Sequence, residues 1–206
     1  EKEKYIVEAE VPFFYNGKEK GLFMGKYPNS ARLKLEEDKR EDIIKNIRIA
    51  KTQQVIQTIE KPEGFEFQLM TKDDAVLLAK LYKDVFQSYP FPIHSPDYII
   101  KTMNDNIVYF GAFKDDRLVA AASSEMYVND ENVEMTDFAT LPAYRGNKLA
   151  LYLLSIMEPE MKKRGMKTLY TIARAHSAGM NITFARNGYK FAGTLIKNTN
   201  IAGSIE

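Results

Sequence analysis

The chain has 206 residues, 45% of them hydrophobic and 28% charged, with a formal net charge of +1. These are values of an ordinary globular domain, and so small a charge sets up no long-range field toward nucleic acid or an anionic membrane. Cysteine is absent and only His94 and His176 occur, which excludes disulfides, thiol catalysis and cysteine-ligated zinc and disfavours a histidine-rich metal site. No apolar run approaches membrane-spanning length and no signal peptide is visible, so a cytoplasmic protein without metal, membrane or nucleic-acid partners is expected. Glu1 in place of an initiator Met suggests a fragment or a processed chain.

In chain order, residues 1–60 read as an N-terminal extension and 61–206 as the main domain. "KYIVEAEVPFFYNGKEKGLFMGKYP" alternates apolar and polar residues around Asn16-Gly17, a hairpin turn. Its aromatic strands are expected to fold against the main domain or against a second subunit, as in a homodimer. A loosely amphipathic helix is expected from about Leu35 to Thr58, and Lys61-Pro62-Glu63-Gly64 breaks the chain. "FEFQLM" reads as a strand. Thr71 caps a helix with an acidic first turn, carried by Ala75, Leu78, Leu81, Tyr82, Val85 and Phe86 and ended by Pro90 and Pro92. Ser95-Pro96 opens a short helix to about Met103. Three strands follow, "IVYFGAF", "RLVAAASSEMYV" and "NVEMTDFAT", separated by Asp115-Asp116 and Asn129-Asp130 turns. A helix to Gly165, the strand "KTLYTIAR", the helix "SAGMNITFARNG" and a last strand "YKFAGTL" complete an α/β pattern.

The stretch "LPAYRGNKLALYLL", residues 141–154, carries the strongest functional signal. A strand leads through a cationic, glycine-containing turn into a helix whose first N–H groups are unsatisfied, a geometry suited to phosphate or pyrophosphate. The helix has a core stripe at Leu149, Leu153 and Ile156 and at Ala150, Leu154, Met157 and Met161, and Pro159 is expected to kink its last turns. Read alone, the turn is equally a helix start with a solvent-facing Arg and Lys.

The order of elements over residues 65–197 and this turn together resemble the GNAT family of acetyl-CoA-dependent N-acetyltransferases. Its diphosphate loop reads Arg/Gln-x-x-Gly-x-Gly/Ala; here Arg145, Gly146, Asn147, Lys148, Leu149 and Ala150 occupy the six positions, with Lys148 in place of the first Gly. The segments "TDFATLPAYRGNKLALYLLSIME", "TLYTIARAHSAGMNITFARNGYKFAGTL" and "NTNIAGSIE", and the early "EAEVPFFYNGKEKGLFMGKY", are similar to the beta-lysine N6-acetyltransferase family. The resemblance implies an α+β fold with a mixed, mostly antiparallel sheet flanked by helices, the GNAT acyl-CoA N-acyltransferase fold. It implies acetyl-CoA as cosubstrate, a small-molecule amine as acceptor, N6-acetyl-beta-lysine as an osmolyte-type product, and a chain that continues past Glu206.

An ε-amine, with a reference pKa of roughly 10.4, arrives protonated near neutral pH, so the site needs a proton acceptor. Glu134 and Asp137, on the strand before the loop, are the candidate catalytic residues, and Glu125, one strand away, a candidate substrate ligand. A regular strand would aim Glu134 and Asp137 to opposite faces; a bulge, common there in this fold, would alter that. The resemblance also implies that the backbone of Phe138 to Thr140 pairs with the pantetheine arm and that Asn181 and Ser177 lie near it, Ser177 being also a helix cap. The tyrosine that protonates the thiolate in many relatives is replaced by Phe184, leaving Tyr152, Tyr170 and Tyr189 as substitutes by placement. Tyr89 and Phe91, in the loop implied to wall the acceptor site, can meet a cationic chain with their ring faces. His94 reads as a loop residue, and His176 lies at a strand end near the expected sulfur. Polyamine or protein-lysine acetylation, and a non-catalytic acyl-CoA-binding module, remain as alternative readings; Arg117, Arg174 and Arg186 are the cations that could hold an amino acid's carboxylate.

Overall fold

The computed structural model describes residues 4–201 and 204–205; Ala202, Gly203 and Glu206 of the tail "NTNIAGSIE" lie outside the described residues. Strands β1 (Ile6–Tyr15) and β2 (Glu19–Gly25) form an antiparallel hairpin. It turns at Asn16 and Gly17, which take φ of 55° and 66°, the left-handed region that this residue pair adopts readily. Helix α1 (Glu37–Lys51) follows. It stops about two turns before the expected Thr58, because the β-branched run Val55, Ile56, Thr58 and Ile59 favours extended backbone. That segment lies along the last helix of the chain, where Ile56 N donates to Arg186 O at 2.8 Å and Arg186 Nε donates to Gln53 Oε1 at 3.1 Å.

The main sheet has five strands: β3 (Glu66–Leu69), β4 (Ile107–Lys114), β5 (Arg117–Tyr127), β6 (Asn132–Thr140) and β7 (Thr168–Tyr170), in that spatial order. The first four pair antiparallel and β6 pairs with β7 in parallel. Asp115 and Asp116, with φ of 47° and 59°, close the β4–β5 hairpin. Helices α2 (Ala75–Val85) and α3 (Pro96–Asp105) cover the sheet face that carries Tyr109: Tyr82 packs on its ring and Thr102 hydrogen-bonds its hydroxyl at 2.9 Å. A 3-10 turn, Lys72–Asp74, closed by a capping box between Thr71 and Asp74, leads into the first of them. Helix α4 (Leu149–Lys163) covers the opposite face, where Tyr152 lies 4.5 Å, centroid to centroid, from Phe67 of β3. Leu149, Leu153, Leu154, Met157 and Met161 are buried there, and Pro159 sits within the helix without interrupting it. Helix α5 (Ala178–Arg186) begins at Ser177, whose Oγ accepts from Met180 N at 3.4 Å.

Two expected strands are shorter than the sequence pattern suggests. Of "KTLYTIAR" only Thr168–Tyr170 pairs, because residues 171–174 diverge from β6. "YKFAGTL" forms no regular strand: it meets β1 through an isolated bridge between Ala9 and Gly193. Glu10 N donates to Ala192 O at 3.2 Å and Thr194 N to Glu8 O at 3.1 Å. The approach needs a glycine, since a Cβ on Gly193 would lie 2.0 Å from Glu8 O. The other end of the hairpin meets the sheet, where Asn16 N donates to Asp130 O at 2.7 Å and Phe14 and Phe23 pack on Tyr170. A last two-residue pairing joins β8 (Asn200–Ile201) to β9 (Ser204–Ile205).

Candidate active site

Register brings the ionisable groups together. Ile107, Glu125, Glu134 and Tyr170 form one cross-strand row, and Tyr109, Ser123 and Thr136 the next. Residues in register share a face, so Glu125 and Glu134 oppose each other directly, an arrangement that repels and weakens a sheet. Beyond Thr136, β6 holds one residue more than β5, and Asp137 sits in this bulge with φ of 54°. The extra residue turns Asp137 onto the face that Glu134 already occupies. There its Oδ2 accepts from the fully buried Ser123 Oγ at 2.5 Å and its Oδ1 accepts from Tyr89 Oη.

These neighbours set the ionisation of the well. Burial, then the charges of Glu125 and Asp137, push the Glu134 carboxyl up to about 7, against smaller opposing hydrogen bonds from the Ile172 backbone and the Thr136 hydroxyl. Burial also raises Asp137, while the hydroxyls of Ser123 and Tyr89 pull it back. Tyr127 donates to Glu125 Oε1 at 3.0 Å, and burial followed by that carboxylate pushes its phenol up to about 12. Burial raises Tyr89, Tyr98 and Tyr170 as well, with Asp137 next in effect on the first two and Glu134 on the third. The result is a half-buried well of three carboxylates edged by phenols that hold their protons, chemistry suited to an ammonium group.

Next to the well the sheet opens. β6 continues to Thr140, but its pairing with β7 ends at Glu134 and Tyr170, so an extended ligand can pair with the backbone beyond. The chain then passes through a short 3-10 turn, Pro142–Tyr144, into residues 145–148. Gly146 and Lys148 both take left-handed backbone, with φ of 87° and 58°. Lys148 thus holds the conformation a glycine would, its side chain exposed, and α4 starts after it with no side chain capping its N–H groups. An uncapped helix end beside Arg145 and Lys148 fits a diphosphate.

The family model described as the acetyltransferase (GNAT) family matches residues 77–189, more than half of the chain. The chain belongs to the GNAT acetyltransferase family. It is 41% identical over its whole length, and 74% of the relative's, to the beta-lysine N(6)-acetyltransferase of Methanococcus maripaludis. It is 32% identical, over 98% of its length and 81% of the relative's, to the enzyme of the same name from Methanosarcina mazei. In fold it is similar to the structure of an acetyltransferase from Clostridium acetobutylicum with acetyl-CoA, at a TM-score of 0.53 and 17% identity over 66% of this chain and 96% of that one.

Within this acetyltransferase the candidate residues fall into distinct environments. Glu125, Glu134, Asp137 and Tyr89 share the well, while Phe91, 58% exposed, stands away from it on the same loop as Tyr89. Phe138 packs edge-on to Phe184 at 5.4 Å, so its side chain serves the core and only its backbone is available to a ligand. Leu149 is buried and likewise offers only its N–H. Arg145 Nε donates to Thr140 O at 3.4 Å, and Asn147 Nδ2 donates to Tyr144 O at 3.0 Å, which shapes the loop. Asn181 spends its amide hydrogens on Arg174 O and Ser177 O, holding the turn before α5. Of the three substitute tyrosines, Tyr170 borders Glu134, Tyr152 packs on Phe67, and Tyr189 neighbours Glu158, whose carboxyl burial pushes up to about 7. His176 is exposed in the segment leading to α5.

Ser123, Tyr98 and Tyr127 were not singled out from the sequence. Ser123, Glu125 and Tyr127 alternate along "SSEMY" and so share a face, a signal that was available. Tyr98 had none, since only the fold brings α3 over the well.

Proposed function

We propose that this acetyltransferase moves the acetyl group of acetyl-CoA to the N6 amine of beta-lysine, giving N6-acetyl-beta-lysine. Acetylation removes one positive charge and leaves a net-neutral zwitterion, a suitable compatible solute. The observation that carries the reading is the Glu134 carboxyl, lifted to about 7 between Glu125 and Asp137 at the point where β6 and β7 part. A base poised near working pH is what deprotonating an ammonium requires. Similarity to the two beta-lysine enzymes along nearly the whole chain supports the choice of acceptor.

Acetyl-CoA supplies the acetyl thioester. The N–H groups at the start of α4, with Arg145 and Lys148, would hold its diphosphate, and the backbone of Phe138 to Thr140 its pantetheine arm. Glu125 orients the incoming ammonium, and Glu134 takes its proton once the amine lies against the thioester. Tyr170, whose phenol stays protonated beside Glu134, is the substitute at the edge of the well for the donor missing at Phe184. A well of three carboxylates also suits a polyamine, which is the second reading. Thiol release from acetyl-CoA with beta-lysine, lysine, a polyamine and a lysine peptide decides between them: beta-lysine should give the highest kcat/KM, and a polyamine preferred over it would overturn the assignment.

A further inference from the structure

We propose that Tyr89 is a positioning residue that locks the acceptor-side loop, residues 86–95, onto the bulge of β6, with Asp137 as its anchor rather than as the proton acceptor. The proposal rests on the acetyltransferase reading only in calling that loop the acceptor side; the lock itself rests on geometry.

Both Asp137 oxygens accept hydroxyl hydrogens, one from Tyr89 on the loop and one from Ser123 within the sheet. Asp137 therefore joins two elements distant in sequence, and its left-handed backbone is the strained feature that this carboxylate helps to define. Within the loop Ile93 N donates to Phe91 O at 2.8 Å and Ser95 N to Pro92 O at 2.9 Å, and its ends are tied to the flanking helices by Phe86 N to Tyr82 O at 2.8 Å and Ile99 N to Ser95 O at 3.2 Å. Its aromatic side reaches the core in steps: Tyr89 tilts against Phe86 at 4.8 Å, and Phe86 stacks on Tyr82 at 6.0 Å. The rings give the loop a seat, and the phenol–carboxylate bond gives it a fixed position. Hydrogen bonds to a charged acceptor are the strong ones, and two of them hold this carboxylate in place. Glu134 takes hydrogen bonds from the Ile172 backbone and the Thr136 hydroxyl, both outside the loop, and can exchange its proton as the amine arrives.

The test compares Tyr89→Phe, Asp137→Ala, Asp137→Asn and Ser123→Ala by steady-state kinetics and by hydrogen exchange of residues 86–95. Tyr89→Phe keeps the ring and should raise the KM for the amine about tenfold, with kcat falling at most about twofold and the KM for acetyl-CoA unchanged. Exchange in the loop should speed up about tenfold in the same variant. Adding Tyr89→Phe to Asp137→Ala should raise the amine KM no further, because Asp137→Ala already removes the Tyr89–Asp137 bond. Ser123→Ala should leave loop exchange near wild type, and acceleration equal to that of Tyr89→Phe would refute the lock as general loosening. A kcat loss of about a hundredfold in Asp137→Asn with unchanged loop exchange would make Asp137 the base and overturn the proposal. If none of the amines is turned over, the function reading fails while exchange still decides the lock: unchanged exchange in Tyr89→Phe overturns it.

Discussion

Replacing Glu134 with Gln should make the protein inactive and more stable at once, and the pH dependence of the second effect tests the site electrostatics without any substrate. The folded carboxyl titrates near 7 instead of the ordinary 4.5. At about 1.4 kcal/mol per pH unit, that gap corresponds to about 3 kcal/mol of folding free energy. The folded state binds this proton more tightly than the unfolded state does. Its stabilising effect is therefore complete below about 4.5, fades as pH rises, and is gone above about 7. Glutamine is nearly isosteric with the protonated acid and carries no charge to repel Glu125 and Asp137. Allowing half of the gap for the amide's own imperfect hydrogen bonding, the variant should melt about 3–6 °C higher than wild type at pH 8, at about 2–4 °C per kcal/mol for a chain of this size. At pH 5 the two should melt together. Thermal melts at the two pH values measure this. In the same variant kcat should fall about a hundredfold or more near neutral pH, with acetyl-CoA binding intact and the loss shrinking toward the amine's own pKa. Wild-type kcat/KM should rise through a pH of about 7 as Glu134 ionises. An equal melting difference at pH 5 and pH 8, or full turnover in the variant, would refute the reasoning.

Arg145→Glu places a carboxylate at the uncapped start of α4 and should weaken acetyl-CoA binding at least about tenfold in calorimetry, with the melting temperature nearly unchanged. Lys148→Val forces a β-branched residue into the left-handed region and should destabilise by about 1–2 kcal/mol in denaturant titrations, whereas Lys148→Gly should keep stability near wild type and weaken acetyl-CoA binding by a few fold, since it keeps the backbone and loses one cation. Gly193→Ala brings a methyl into Glu8 O and Ala9 and should release β1, seen as protease cleavage within residues 4–27 many times faster than in wild type.

Local sequence was enough for most of the architecture. The Asn16-Gly17 and Asp115-Asp116 pairs fixed two hairpins, the Thr71 and Ser177 caps fixed two helix starts, and the buried stripe of α4 fixed which way it faces. The failures lie where tertiary partners override local pattern. "YKFAGTL" has a strand's composition, yet β1 takes its backbone at a single bridge, and the end of α1 gives way to a segment held by α5. The site was legible as residue types on one strand but not as a geometry. The bulge that brings Glu134 and Asp137 to one face adds one residue to the count, and period-two alternation cannot locate it. The pairing of Tyr89 with Asp137 spans 48 residues and had no sequence signal.

The two carboxylates on β6 show how environment divides roles between like groups. Both are drawn out of water, and both would be expected to hold protons on that ground alone. Asp137 receives two hydroxyl hydrogen bonds that offset part of its desolvation and fix its carboxylate in place. Glu134 faces Glu125 across the strand and receives less, so its charged form is the uneasy one. An ammonium entering the well relieves that repulsion by pairing with the charge, and giving up its proton relieves it by neutralising Glu134. On the proposed reaction, the stability forgone in holding Glu134 charged beside Glu125 is returned as a greater affinity for a proton, which lessens the uphill cost of taking one from the amine.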